Sequence, residues 1–153
     1  MATIVTPNKV SIVMGSSSDK PIAEKAEKML EMLRIPFETR VLSAHRDPDG
    51  LRDYVKGSDS GIFIAIAGMS AALGGAIASH TLRPVIGVPV SGKVPLDSLL
   101  SMVQMPKGVP VAVVAVDTGE NAALLAAQMI ALGDPEMLKT LELLRVEARK
   151  PKT

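Results

Sequence analysis

One of the chain's two histidines, His45, stands directly before Arg46 in the stretch VLSAHRDPDG, residues 41–50. An imidazole changes protonation near neutrality and can carry one proton within a reaction. A guanidinium stays charged and presents forked donors that match a phosphate or a carboxylate. Side by side they suit an anionic substrate whose reaction moves a single proton, and the fixed cation disfavours a second positive charge on the ring. Ser43 adds a hydroxyl for the same anion. For this pair taken alone, a surface histidine with a helix-flanking arginine is the competing reading. The earlier stretch GSSSD, Gly15 to Asp19, offers a glycine, three hydroxyls and a helix start, a combination that could hold a phosphate. Gly15, Ser16, Ser18 and Asp19 are its candidates, against the alternative of a turn capped by Ser and Asp. It has neither G-x-x-x-x-G-K-[ST] nor G-x-G-x-x-G spacing. A third stretch, AGMSAALGG at residues 67–75, contains no acid or base. Gly68 and Ser70, with Gly74 and Gly75, suggest a backbone that a flat ligand or another chain can approach, or else tight helix packing. His80 reads as structural or interfacial. No spaced cluster such as H-E-x-x-H occurs, so no metal site is expected.

Those stretches have to be positioned by regular elements, and the hydrophobic pattern supplies them. KVSIVM predicts a strand that ends at GSSSD. Apolar residues at Ile22, Ala26, Met29, Leu30 and Leu33 then recur at helical spacing, with Asp19 and Pro21 marking the start. PFETRVL predicts a second strand and DPDGLRDYVK a short helix. GIFIAIA, continuous in apolar character, predicts a buried third strand, with a helix from about Ala71 to Thr81 after it. PVIGVPV is a fourth strand, DSLLSMVQM a helix, VPVAVVAV a fifth strand and ENAALLAAQMIAL a helix rich in small residues. A last helix, at about 135–148, follows the Asp-Pro signal at Asp134 and Pro135. Strands alternating with helices predict a parallel sheet covered on both faces, a three-layer α/β fold. Five strands suit a flavodoxin-like order 2-1-3-4-5, which brings the loops after the first three strands together at the carboxyl edge. Those loops are the three chemical stretches.

Composition narrows the class further. The 153 residues suit one domain of 1–153, with a core at about 9–132. Two Phe, one Tyr and no Trp force an aliphatic core. Seventeen Lys and Arg against sixteen Asp and Glu leave a net charge of +1, too balanced for a surface that tracks nucleic acid. The lack of cysteine removes disulfides, thiolate metal sites and a cysteine nucleophile. The N-terminal MATIVTPNK has no signal-like apolar region. Residues 61–82 carry no Asp, Glu, Lys or Arg and are long enough to cross a bilayer, but the run divides at AGMS into a strand-like half and an Ala/Gly half. A soluble chain without a membrane partner, in the cytoplasm, is the expectation.

IVMGSSSD, VLSAHRDP, PVIGVPV, DSLLSMVQMPKGVPVAVVAV and ENAALLAAQ, taken together and in order, resemble the PurE family of purine biosynthesis from about Lys9 to about Leu132. Members form 4-carboxy-5-aminoimidazole ribonucleotide. The resemblance implies a flavodoxin-like subunit, a homo-oligomer that is octameric in many members, and no metal or organic cofactor. Carried over by position, Ser16 and Asp19 contact the phosphate and ribose region of the nucleotide, Ser43 and Arg46 help fix its phosphate, and His45 is the acid/base. Class I members rearrange N5-carboxyaminoimidazole ribonucleotide; class II members carboxylate aminoimidazole ribonucleotide with carbon dioxide. The third loop departs from the class I pattern A-A-H-L-P-G, with Ala72 in place of the histidine and Gly74 in place of the proline. It is nearer the class II pattern A-G-x-S-N-x-L, except that Ala71 replaces the asparagine. Arg46 is of the class I type, and the mutase is the leading expectation. A non-catalytic nucleotide-binding module would use the same loops without needing His45. A purely structural oligomer would draw on the small faces of the Ala-rich helices.

Overall fold

The structure is a computed structural model that describes residues 4–94 and 96–150. Residues 1–3 of the N-terminal stretch read for a signal therefore lie outside the described residues. Strands β1 (Thr6–Met14), β2 (Phe37–Val41), β3 (Ser60–Ala67), β4 (Val85–Pro89) and β5 (Ala112–Val113) form one parallel sheet in the order β2-β1-β3-β4-β5. Helices α1 (Lys20–Met32), α2 (Pro48–Gly57), α3 (Leu73–Ala78), α4 (Asp97–Val103), α5 (Gly119–Ala131) and α6 (Pro135–Ala148) connect and flank them. The flavodoxin-like order expected from the sequence is the one observed. No helix among the described residues is long and apolar enough to cross a membrane.

The three layers follow from the two-residue period of a strand, which sends alternate side chains to opposite faces. Val10, Ile12 and Met14 of β1 join Ile62, Ile64 and Ile66 of β3 beneath α1 and α5. Val13, Phe63 and Ala65 point the other way, onto Leu51 and Val55 of α2, Ile77 of α3 and Met102 of α4. β3 is buried along its whole length because both faces are covered. The small residues of α5 find their partners inside the chain. Ala122, Ala123, Ala126 and Ala127 have no exposed surface, and a Cβ on Gly119 would run into the carbonyl oxygen of Ile22 on α1.

Helix starts obey local chemistry. Ser16 and Asp19 form a reciprocal capping box around a 3-10 turn at Ser17–Asp19 that leads into α1. Asp47 caps α2 by accepting from the Gly50 N–H, and Asp134 caps α6 by accepting from Glu136 and Met137. Two elements differ from expectation. The fifth strand has two ladder residues where the apolar run 109–116 predicts eight, because it lies at the sheet edge and Pro110 has no N–H to give. The chain nevertheless follows β4 onward through Val114 N–H to Gly87 O and Asp117 N–H to Pro89 O. α3 has six residues where about 71–81 was expected, since its first turn is given over to an irregular third loop.

Register decides where the site lies. Met14 is level with Val41 on one side and Ile66 on the other, so β1, β2 and β3 end together. Gly15 N–H donates to Ile66 O and Leu42 N–H to Met14 O, which binds the start of the first two loops to the strand ends beside them.

Candidate functional site

The loops after β1, β2 and β3 wall a cleft of about 360 Å³ at the carboxyl edge of the sheet. That volume falls within the usual range for small-molecule sites, roughly 300–1,000 Å³. All nine residues expected from the sequence line it. Gly15, Ser16, Ser18 and Asp19 come from the first loop, Ser43, His45 and Arg46 from the second, and Gly68 and Ser70 from the third. His80 lies beyond α3 and is not part of the wall; its N–H donates to Ile77 O.

In the first loop the hydroxyl of Ser16 accepts from Ser18 N–H at 3.3 Å and from the Ser18 hydroxyl at 3.0 Å. The Asp19 carboxylate accepts from Ser16 N–H at 3.1 Å. Asp19 is only 6% exposed. Burial raises the pKa of its carboxyl above the usual carboxylate value, and the Ser16 N–H and the nearby Arg46 charge only partly counter it. Ser17 and Ser18 remain exposed at the head of the helical turn.

Arg46 joins two loops. Its Nη2 donates to Gly15 O at 2.8 Å, and its own N–H donates to the Ser43 hydroxyl at 3.2 Å. One arm of the fork is thereby fixed on the first loop. Its positive charge lies at the same mouth as the N-terminal end of α1, where helix dipoles favour anions. His45 sits in the turn between Ser43 and Asp47, exposed at the cleft.

The glycines around the cleft divide into two kinds. A Cβ built on Gly15 would meet nothing nearer than 3.7 Å, and one on Gly68 nothing nearer than 4.0 Å. Packing within the chain demands neither glycine, so the room they leave belongs to the cleft. Gly75 differs: a Cβ there would press on the Met105 sulfur at 3.1 Å, the close helix packing that was its alternative reading, while one on Gly74 would meet Val111 at 3.4 Å, an ordinary contact.

Sequence reasoning missed the apolar part of the wall, Ala44, Ala67, Met69 and Leu73. It also missed what holds the third loop in shape. Ser70 N–H donates to the Asp97 carboxylate and Ala71 N–H to the Ser101 hydroxyl, both from α4. These residues stood in the quoted stretch DSLLS, but nothing local connects them to a loop some 30 positions earlier. Ala72 is not part of the wall, so the third loop brings neither acid nor base to the cleft. Among the described residues no three His, Asp or Glu side chains gather as metal ligands.

Comparison with known proteins adds an independent line. The family model for AIR carboxylase matches residues 9–150. An N5-carboxyaminoimidazole ribonucleotide mutase of Methanocaldococcus jannaschii is 51% identical over 92% of this chain and 90% of its own length. A chloroplastic phosphoribosylaminoimidazole carboxylase of Vigna aconitifolia is 43% identical over 91% of this chain, which spans 26% of that longer protein. The crystal structure of Treponema denticola PurE superposes with a TM-score of 0.84 at 31% identity, covering 92% of this chain and 90% of that one.

Proposed function

The chain belongs to the PurE family of AIR carboxylases, and on that premise we propose that it rearranges N5-carboxyaminoimidazole ribonucleotide to 4-carboxy-5-aminoimidazole ribonucleotide in the cleft at the carboxyl edge. The observation that carries this reading is the meeting of three loops from distant parts of the sequence around one cavity, with one titratable ring, one fixed cation and two glycines that packing does not require.

The roles follow from the chemistry. The free donors of Arg46, the hydroxyls of Ser16, Ser18 and Ser43 and the helix end hold the phosphate. Asp19, buried and set beside Ser16, receives ribose hydroxyls. The N–CO₂ bond of the carbamate breaks with its electron pair returning to nitrogen, which takes a proton from His45, and carbon dioxide is set free. C4, made electron-rich by that nitrogen, then forms a bond to the same carbon dioxide. The proton on C4 leaves last and returns to His45, which ends the cycle in the protonation state in which it began. Gly68, Met69, Ser70 and Leu73 supply a wall that keeps carbon dioxide near C4, so the second bond forms before the gas escapes. No enzyme nucleophile takes part.

A second reading, direct carboxylation of aminoimidazole ribonucleotide, is favoured by one specific feature: the third loop has Ala72 where the class I pattern has histidine. Two incubations separate the readings, aminoimidazole ribonucleotide with bicarbonate and the freshly made N5-carboxylated nucleotide, each followed for the C4-carboxylated product. Product from the second alone establishes the mutase, product from the first at low bicarbonate establishes the carboxylase, and product from neither overturns both. The same nucleotides raising the melting temperature without turnover would instead identify a non-catalytic binding module.

The reading extends to assembly and place. Leu82 and Leu132 stand almost wholly in solvent, and Met69 is 76% exposed at the mouth of the cleft. Such large apolar side chains on the surface suit a homo-oligomer, an octamer by family resemblance, working in the cytoplasm. Light scattering on the eluted protein gives the copy number, and a monomer removes this extension.

A further inference from the structure

The third loop enters the cleft in a conformation that its own sequence disfavours. Ser70 has φ +53°, the left-handed region, where a side chain with a Cβ is held only by its surroundings. Those surroundings are α4. The carboxylate of Asp97 accepts from Ser70 N–H, and the hydroxyl of Ser101 accepts from the next N–H, that of Ala71, at 2.8 Å. The one proton of Ser101 is committed to Asp97 O at 2.7 Å, so its lone pairs are free to accept. Asp97 and Ser101 are four positions apart, on one face of the helix, and grip two successive amides.

Asp97 occupies the first turn of α4, where an acidic side chain ordinarily serves its own helix end. Here there is no side-chain cap at Leu96, and the carboxylate crosses to the third loop instead. Leu96 itself is left-handed, with φ +65°, which is a second unfavourable conformation at the same junction. Met102, on the same helix, has no exposed surface and seats against Gly87 of β4 and Gly74 of α3, so the helix is a fixed platform. Since the third loop has no ionisable side chain, its part in the cleft rests on the placement of its backbone and the Ser70 hydroxyl.

We infer that Asp97, assisted by Ser101, is a positioning residue for the reaction, holding Ser70 left-handed so that Gly68 to Ser70 close the cleft opposite the Arg46 anchor. This rests on the mutase or carboxylase reading above. Asp97 does not line the cleft, so it acts on the nucleotide only through the loop.

The test compares wild type with Asp97→Ala, Asp97→Asn and Ser101→Ala under steady-state turnover, with melting curves and hydrogen exchange at residues 69–72. A misplaced wall costs the chemical step, because an error of about 1 Å in a preorganised site can cost on the order of 100-fold. Asp97→Ala is expected to lower kcat by about 10- to 100-fold with KM changed by less than about threefold. Asp97→Asn keeps an acceptor oxygen and is expected to recover most of the loss. Exchange at Ser70 and Ala71 speeds up in the alanine variant. Should Asp97→Ala fail to fold, Ser101→Ala carries the test, with kcat down by roughly threefold to tenfold and the same local rise in exchange. A kcat equal to wild type in the folded variants, or a fall in melting temperature with no kinetic change, overturns the inference while leaving the reaction in place. An inactive wild type overturns the functional reading, and this inference with it.

Discussion

The second and third loops face each other across one cleft yet contribute in opposite ways. The second, Ser43 to Asp47, brings an imidazole and a guanidinium at its surface, and no residue in it has a left-handed backbone. The third, Gly68 to Ala72, brings no titratable group and has a left-handed serine pinned by two side chains of α4. On the proposed roles, chemistry in the second loop resides in residue type, so a substitution there is expected to remove a reaction step or a binding charge. In the third it resides in shape, so on the proposed reading the sensitive residues lie outside the loop, on the helix that holds it. The first loop combines both modes, with an intrinsic capping box and a carbonyl that steadies the arginine opposite.

Substitutions in the two kinds of region should separate in their kinetics. The largest effect is expected for His45→Asn, which removes the proposed proton carrier: kcat falls by about 10²- to 10⁴-fold while nucleotide binding, measured by calorimetry, persists. A variant that keeps its turnover would break the comparison at its strongest point. Arg46→Ala should act on binding. Loss of a charge-assisted contact worth about 1.5–3 kcal/mol raises KM by roughly 10- to 100-fold and leaves kcat within a few-fold. Arg46→Lys should recover only part of this, because the amine cannot both reach Gly15 O and keep a second planar fork for the anion.

Gly15→Ala gives a finer test. Its Cβ meets only ordinary contacts within the chain, so the melting temperature should hold while KM rises by about tenfold if the vacant space receives the nucleotide. Equal loss of stability and binding would show that the glycine serves the fold. The smallest effect concerns Asp19. Burial raises its folded-state pKa above the ordinary 3.8, so the folded state holds this proton more tightly than the unfolded chain does. The linked stability is complete below the unfolded value and is lost as pH rises through the raised folded one. Asp19→Asn, which stays neutral, should therefore melt above wild type at pH 7. The gap should shrink as the pH is lowered towards 3.8, and a gap that widened on acidification would reverse the sign of this account.

Much of the molecule was legible in the linear text. Runs such as GIFIAIA and the spacing from Ile22 to Leu33 define strand and helix through local periodicity alone. Asp47 with Pro48 and Asp134 with Pro135 announce helix starts because the cap bond closes within three residues. GSSSD and SAHRD could be read as candidate chemistry because each holds its functional groups within five positions. The third loop was legible only as glycine and serine, and the fifth strand was overread. An apolar run does not tell how many of its amides will find a partner at a sheet edge.

Residue types, caps and periodicity are local quantities, and by themselves they determined that this chain forms alternating strands and helices with an imidazole and an arginine in one turn. Only the tertiary structure decided that β1, β2 and β3 end level, that Arg46 reaches Gly15, and that Asp97 holds a loop 27 positions away. Those facts depend on strand register and on the seating of α4 against the sheet, contacts between segments whose separation in sequence sets no distance until the core has formed.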